Sequence, residues 1–394
     1  MFRSFAGPRK YHGSLVALLC AALAACGGGG DNGTFPINAL AAQGAPIGST
    51  GASTITSAAN SQTAASSPSV QLTEMAVNTT ARFKSLDDLQ ADSSGNLYIL
   101  DSGRVREMTM DGKVKTVYPS PSQNTGDTIQ SISKIALGHN GSYFVLDGNS
   151  VKKIATNGVV STLAKDINAP SCTGTSNWPT AIAADATDSI YVNDWYRSEI
   201  KKISPTGIVS TFIKGGGPTL PGSGCNAGGG QAFMFVNAIT FDKQGQVFFS
   251  SNDSIFTLDA TGTALKLAQS FWTSTTPLLD TPVSVSVDSA GHVYSAVIQA
   301  GLFVEQRLYN AINMTTADRN TSLVAGGWWP RSDLNTLIDG QGSQARFAEV
   351  TAVVASQDGN LYVADRGNFA IRKVTLDGLV TTIAGAAAQK GTSD

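Results

Sequence analysis

Apolar and polar positions in the stretch Gln344 to Gly385 fall into four short runs, VTAVVAS, NLYVAD, AIRKVT and LVTTIAG, separated by Asp-Gly and Arg-Gly-Asn. Runs rich in β-branched and aromatic residues, broken by such turn signals, predict four meandering antiparallel strands. Weaker copies of the pattern fill most of the chain. First strands are expected at Leu86-Asp92, Ile132-Gly138, Pro179-Asp185, Val236-Asp242, Pro282-Asp288 and Val350-Ser356, and their fourth column is always aliphatic: Leu89, Ile135, Ile182, Ile239, Val285 and Val353.

A tight turn follows each first strand, and the second strand then carries an aromatic in register: Tyr98, Phe144, Tyr191, Phe248, Tyr294 and Tyr362. These aromatics recur at intervals of 46, 47, 57, 46 and 68 residues. A period of about 40 to 50 with four strands per unit is that of a β-propeller blade, so the fold class is all-β, a six-bladed propeller. Third strands read apolar, basic, basic, apolar, as in Val151-Lys152-Lys153-Ile154, Ile200-Lys201-Lys202-Ile203 and Ile371-Arg372-Lys373-Val374, with Val105-Arg106-Glu107-Met108 looser. Charges that recur by repeat position fit the solvated part of an outer strand better than a basic face. Fourth strands are expected at Val114-Tyr118, Val159-Ala164, Ile208-Ile213, Thr263-Ala268, Thr321-Gly326 and Leu379-Gly385.

The pattern resembles NHL-repeat propellers over roughly residues 78 to 385, most strongly in NLYVADRGNFAIRKV and DGLVTTIAG. Ala81-Arg82-Phe83 before the first copy repeats Ala345-Arg346-Phe347 before the sixth, which fixes where the propeller begins. The fourth and fifth copies depart from the pattern. Ser251 and Val297 stand where Asp101, Asp147, Asp194 and Asp365 stand elsewhere, and the fifth copy reads as carrying an insert, Asn310 to Asn320.

In such a meander the first-to-second and third-to-fourth turns emerge on one rim, and the second-to-third turns and blade connections on the other. All five tryptophans sort to the second rim: Trp178, Trp272, Trp328 and Trp329 in blade connections and Trp195 in a second-to-third loop. Tyr196, Arg197, Arg104, Arg331 and Arg366 sort there too, as do Cys172 and Cys225. Loops at one end of a rigid scaffold are where binding residues gather, although a loop tryptophan can equally fill a groove between blades. The second column of the first strands, Asp87, Ser133, Thr180, Asn237 and Thr351, brings polar groups to the axial mouth, with Val283 the exception.

Of the 394 residues, 42% are hydrophobic and only 14% charged, with 41 Gly, which suits a turn-rich all-β protein. Net charge is −2, and because Arg3, Arg9 and Lys10 carry the first 25 residues, the rest is mildly acidic. Without Lys/Arg blocks it does not suit a nucleic-acid partner. Catalysis also finds little footing. Past the leader only His139 and His292 remain, both on the rim opposite the tryptophans, so a three-His zinc site like that of amidating lyases related to the resembled family cannot be assembled. The Asp-Gly pairs at 111, 339, 358 and 377 lack the spacing of a calcium loop and read as turns.

The first 77 residues read as address and tether. A basic start, an apolar run from Gly13 to Ala25 and small residues before Cys26 describe a signal peptide over residues 1–25, too short to span a bilayer. Leu23-Ala24-Ala25-Cys26 resembles the lipobox of bacterial lipoproteins, which implies lipid on Cys26; ordinary cleavage after Ala22-Leu23-Ala24 is the other reading. Gly27 in place of an Asp then favours the outer membrane. Residues 27 to 70 hold one charge, Asp31, and cannot bury enough surface to order themselves, so residues 26–77 read as lipidated cysteine and flexible tether and 78–394 as the propeller. Cys172 and Cys225, the two cysteines of an exported body, are candidates for a disulfide.

The expectation is therefore a periplasm-facing, membrane-anchored binding module without cofactor, which holds an envelope protein, a peptide or a glycan by its tryptophan-bearing rim. The alternative is a hydrolase or lyase with a divalent metal such as calcium at the axial mouth, held by Asp87, Asp88 and Asn237; resemblance to other six-bladed propeller enzymes permits it.

Overall fold

A computed structural model describes residues 74–119, 127–168, 177–194, 197–215, 236–269, 279–300, 307–330, 336–386 and 389–394. They lie in the unit Leu72–Asp394 and form a six-bladed β-propeller. Blade 1 is β1 (Leu86–Ala91), β2 (Leu97–Asp101), β3 (Arg104–Met108) and β4 (Val114–Tyr118); blade 2 is β5 (Ile132–Leu137), β6 (Tyr143–Asp147), β7 (Ser150–Ile154) and β8 (Val160–Ala164). Blade 3 is β9 (Ile182–Ala184), β10 (Ile190–Asp194), β11 (Glu199–Ile203) and β12 (Val209–Lys214); blade 4 is β13 (Val236–Phe241), β14 (Val247–Ser251), β15 (Ser254–Leu258) and β16 (Ala264–Gln269). Blade 5 is β17 (Leu279–Val287), β18 (Val293–Ala300), β19 (Arg307–Thr315) and β20 (Thr321–Pro330). A two-residue strand, β21 (Gly340–Gln341), then lies outside blade 6, which is β22 (Val350–Ala355), β23 (Leu361–Asp365), β24 (Ala370–Val374) and β25 (Leu379–Gly385).

In every blade the strands pair antiparallel in chain order, and the first strands touch one another round the axis, with β22 meeting β1 to close the ring. The six aliphatics of the fourth column are all buried. They belong to apolar clusters that sit in the seams between neighbouring blades. Phe83, Leu89, Tyr362 and Ile371 fill the seam of blades 6 and 1, for example, and Ala136, Phe144, Ile182 and Val192 that of blades 2 and 3. The second strands of blades 3, 4 and 6 are buried along their whole length, one face against each neighbouring blade, so the period-two alternation of an isolated sheet is muted there, whereas an outer strand such as β12 is largely exposed.

Two irregularities recur. In β1, β13, β17 and β22 one extra residue, Asp87, Asn237, Val283 and Thr351, is bulged out of the ladder near the start of the strand, and β5 is irregular over Ser133-Lys134. These are the second-column positions, so a bulge re-aims each toward the axial mouth. The second bulge lies in all six fourth strands, at Val117, Leu163, Phe212, Leu267, Val324 and Ile383.

The structure corrects the expected insert in the fifth copy. Asn310 to Asn320 is not a separate loop; Asn310–Thr315 belong to β19. The added length is spread over all four strands of blade 5. Pro282↔Val297 stands where Leu86↔Asp101 stands in blade 1, and the ladder continues beyond it to Leu279↔Ala300 on one side and from Asn310↔Gly327 to Arg307↔Pro330 on the other. At about 3.3 Å per residue this raises blade 5 roughly 10 Å above the rim. A small cluster of its own, Val297, Tyr309, Ala311 and Trp328, supports the extension.

Candidate binding rim

Trp328 and Trp329 were expected in a blade connection and instead lie in β20, in the extended part of blade 5. The Trp328 ring is half-buried against its cross-strand partner Tyr309, with centroids 5.1 Å apart. Its neighbour Trp329 faces the other side of the sheet, where the Arg346 guanidinium lies 4.2 Å from its ring centroid. Trp178 sits in the segment leading into blade 3 and is 57% exposed. One face of its ring covers the β6–β7 turn so closely that a Cβ on Gly148 would lie 3.7 Å from it. Trp195, Tyr196, Trp272, Arg331, Cys26, Cys172 and Cys225 lie outside the described residues.

Nearer the axis the rim is polar. Arg366, in the β23–β24 turn, donates from Nε to Glu349 Oε2 at 2.9 Å and pairs its Nη2 with Oε1. Its Nη1 reaches Asp87 Oδ1 across the seam at 3.7 Å, and Ser85 Oγ donates to the same oxygen at 2.6 Å. The hydrogen bond to Glu349 outweighs burial and raises the already high pKa of Arg366, so it is a permanent cation. Arg104 is exposed beside the β2–β3 turn, and Arg197 pairs with Asp194 at 3.4 Å.

Asp87 and Asp88 do not converge. Asp88 is buried and turned toward blade 2, where its Oδ2 accepts the Ile135 N–H at 3.0 Å and its Oδ1 meets Lys134 Nζ at 3.4 Å. Asn237 is the bulged residue of β13 in blade 4. Among the described residues no group of three or more His, Cys, Asp or Glu side chains is arranged to hold a metal ion. On the opposite rim His292 Nδ1 lies 2.9 Å from Asp288 Oδ2, an oxygen that also accepts the Tyr294 hydroxyl at 3.0 Å. Burial opposes ionisation of Asp288, but the hydrogen bonds from His292 and Tyr294 outweigh it and hold the carboxyl below its ordinary value.

Sequence reasoning missed what the third-strand basic residues do. The lysines among them are partly exposed, but the two arginines are not solvated. Arg106 and Arg372 are 1% and 0% exposed, and Arg372 Nη1 donates to Asp365 Oδ2 and to the Arg346 carbonyl, both at 2.9 Å. The other oxygen of Asp365 accepts the N–H groups of Ala348 and Glu349 at 3.0 and 3.3 Å, which fixes the segment leading into β22. Asp101 takes the Lys84 and Ser85 N–H groups, both at 2.8 Å, and Asp147 those of Gln130 and Ser131 at 3.1 and 2.9 Å. In blade 3 the task passes to Asn193, one position earlier, which takes Thr180 and Ala181 at 2.8 and 2.9 Å, while Asp194 binds Asn177 and Arg197. The signal in the sequence was the paired loss: Ser251 goes with Phe256 in blade 4, and Val297 with Asn313 in blade 5, at the places of the acid and the base.

No protein-family model and no curated protein matches this chain. Solved structures do resemble it. A structural-genomics protein of unknown function from Bacteroides thetaiotaomicron aligns with a TM-score of 0.50 and 16% identity over 76% of this chain and 72% of its own. An auxiliary nutrient binding protein from the same organism gives 0.49 and 14% over 77% and 70%, and a streptogramin B lyase 0.48 and 13% over 80% and 87%. At such identities the likeness is one of propeller fold.

Proposed function

We propose that this chain is a binding module of the bacterial cell envelope that holds a protein, peptide or glycan on its tryptophan-bearing rim. The observation that carries the reading is the extension of blade 5, which lifts the Tyr309–Trp328 pair above the rim. Trp178 offers a second, exposed aromatic surface on the same rim. Rigid aromatic side chains supply large contact area with little ordering entropy, and the polar groups of the mouth supply orientation. The acids of the mouth are engaged by Arg366 and Lys134, which favours recognition over metal-assisted hydrolysis as their use.

Titration of the full chain with cell-wall oligosaccharides and with proline-rich and aromatic peptides, followed by tryptophan emission, tests the reading. A saturable shift lost on replacing Trp178 and Trp328 together by Ala is expected. No shift with any of these ligands, or a shift unchanged in the variant, overturns it. The anchor is proposed at Cys26: labelled palmitate should enter the full chain and fail to enter a Cys26→Ser variant.

A further inference from the structure

All four strands of blade 6 are contiguous in the chain, from β22 to β25, so no strand donated from the other end shuts the ring. The inner strands meet across that seam by Thr351 Oγ1 donating to the Leu86 carbonyl at 2.7 Å, and Asn78 bridges to Ala384 at the outside. A more specific connection is visible when the segments leading into blades 6 and 1 are compared. In blade 6, Arg346 N donates to the Ile338 carbonyl at 3.0 Å, and Arg372 Nη2 binds both the Ile338 carbonyl and Asp339 Oδ1 at 2.8 Å. Asp339 also caps the Thr382 N–H at 3.0 Å and its hydroxyl at 2.9 Å.

Blade 1 has the same receptor: Arg106 in the place of Arg372, Thr116 in that of Thr382, and Phe83 under the guanidinium at 4.8 Å where Phe347 lies at 5.2 Å. The aspartate comes from the far end of the sequence. Arg82 N donates to the Ser393 carbonyl at 3.0 Å, and Gly391 N to the Phe83 carbonyl at 3.0 Å. Asp394 Oδ1 accepts Arg106 Nε at 3.1 Å and Nη2 at 2.9 Å, and its Oδ2 accepts the Thr116 N–H at 3.3 Å. Ser393-Asp394 thus stand where Ile338-Asp339 stand in blade 6.

We infer that blade 1 carries an aspartate-binding groove, made by Arg106, Thr116 and Phe83, and that residues Gly391–Asp394 occupy it as the clasp that closes the propeller ring. A carboxylate suits this groove because one oxygen takes both the Nε and Nη2 donors of the guanidinium while the other takes the Thr116 amide. The clasp also reaches the axial mouth. Arg106 holds Asp101 at 3.0 Å, Asp101 fixes the Lys84 and Ser85 N–H groups, and Ser85 holds Asp87 opposite Arg366.

Hydrogen exchange on the full chain tests this. Asp394→Ala should raise exchange about tenfold or more at the Arg82, Ser85 and Thr116 amides and leave Arg346 and Thr382 as they are. Asp339→Ala should do the reverse. Unchanged protection at Arg82 and Thr116 in Asp394→Ala overturns the clasp, and so does an equal loss in both blades, which would mean general destabilisation. If Asp394→Ala does not fold, the isosteric Asp394→Asn answers the same question.

Discussion

Blades 5 and 6 share one strand order and differ in how they end at the rim. Gly326 and Gly385 occupy the same place, each at φ 85°, each following an Ala paired with a third-strand Ile. In blade 6 the fourth strand stops at Gly385, whereas in blade 5 it runs on to Pro330. Blade 6 has Asp365 and Arg372 buried at that end, tying the incoming segment to the top of the blade; blade 5 has Val297 and Asn313 instead. In blade 6 a buried ion pair that binds neighbouring backbone stands at the end of the blade. Blade 4 also lacks the pair, with Ser251 and Phe256 in its places, and still stops at Ser251↔Ser254, so loss of the pair permits a longer ladder without dictating one; in blade 5 the added strand length carries the aromatic pair.

The sharpest way to break the comparison is to remove the pair from blade 6. Arg372→Met leaves Asp365 buried without its cation and should lower unfolding free energy by about 3–5 kcal/mol in urea titrations. The matching change in blade 5, Asn313→Leu, deletes a buried amide whose Oδ1 has no hydrogen-bond partner among the described residues, and should shift stability by less than about 1 kcal/mol. Tyr309→Ala removes the ring that supports Trp328. It should destabilise the extension by about 2–3 kcal/mol, seen as faster exchange at residues 308–310 and 327–329 with β23 unaffected.

Gly326→Ala and Gly385→Ala measure the corner itself. An added Cβ would lie 2.3 Å from the Asn310 carbonyl oxygen in the first case and 2.1 Å from that of Phe369 in the second. Both should cost about 1–3 kcal/mol. Only Gly326→Ala should also change Trp328 emission, because only there does the chain continue as strand.

The smallest effect concerns what the two blades share. Burial, followed for Tyr294 by the charge of Asp288 and for Tyr362 by its hydrogen bond to Asp358, pushes both phenols above their ordinary value. Burial with Glu107 and Asp92 likewise brings Tyr98 up to about 12. Groups with a raised folded pKa give stability that is complete below about pH 10, the unfolded phenol value, and lost as pH rises through the folded value. Unfolding midpoints should therefore fall above pH 10, and Tyr294→Phe or Tyr362→Phe should each flatten that fall at a cost of about 1 kcal/mol at neutral pH.

Much of this was legible in the sequence. The aliphatic fourth column and the aromatic of the second strand gave the blade count, because both positions are dictated by seam packing that every blade needs. The extension of blade 5 was not, because a ladder that merely runs longer looks like an insert when it is aligned to shorter copies. Arg106 and Arg372 were read as solvated because a third-strand charge is usually exposed; their burial is made tolerable by Asp101 and Asp365 on the adjacent strand together with the more distant carboxylates of Asp394 and Asp339. Asp394 stands 288 residues from its partner, beyond any local pattern.

The bulge in each outer strand has a consequence for the molecule in a crowded compartment. In blades 1 to 5 the fourth strand is the last of its sheet, whereas in blade 6 β21 covers the start of β25; a flat outer strand invites pairing with another chain. The extra residue at Val117, Leu163, Phe212, Leu267, Val324 or Ile383 interrupts the run of hydrogen-bonding groups within the strand and twists it. Six such interruptions guard the perimeter against edge-to-edge polymerisation, even beside exposed Phe212.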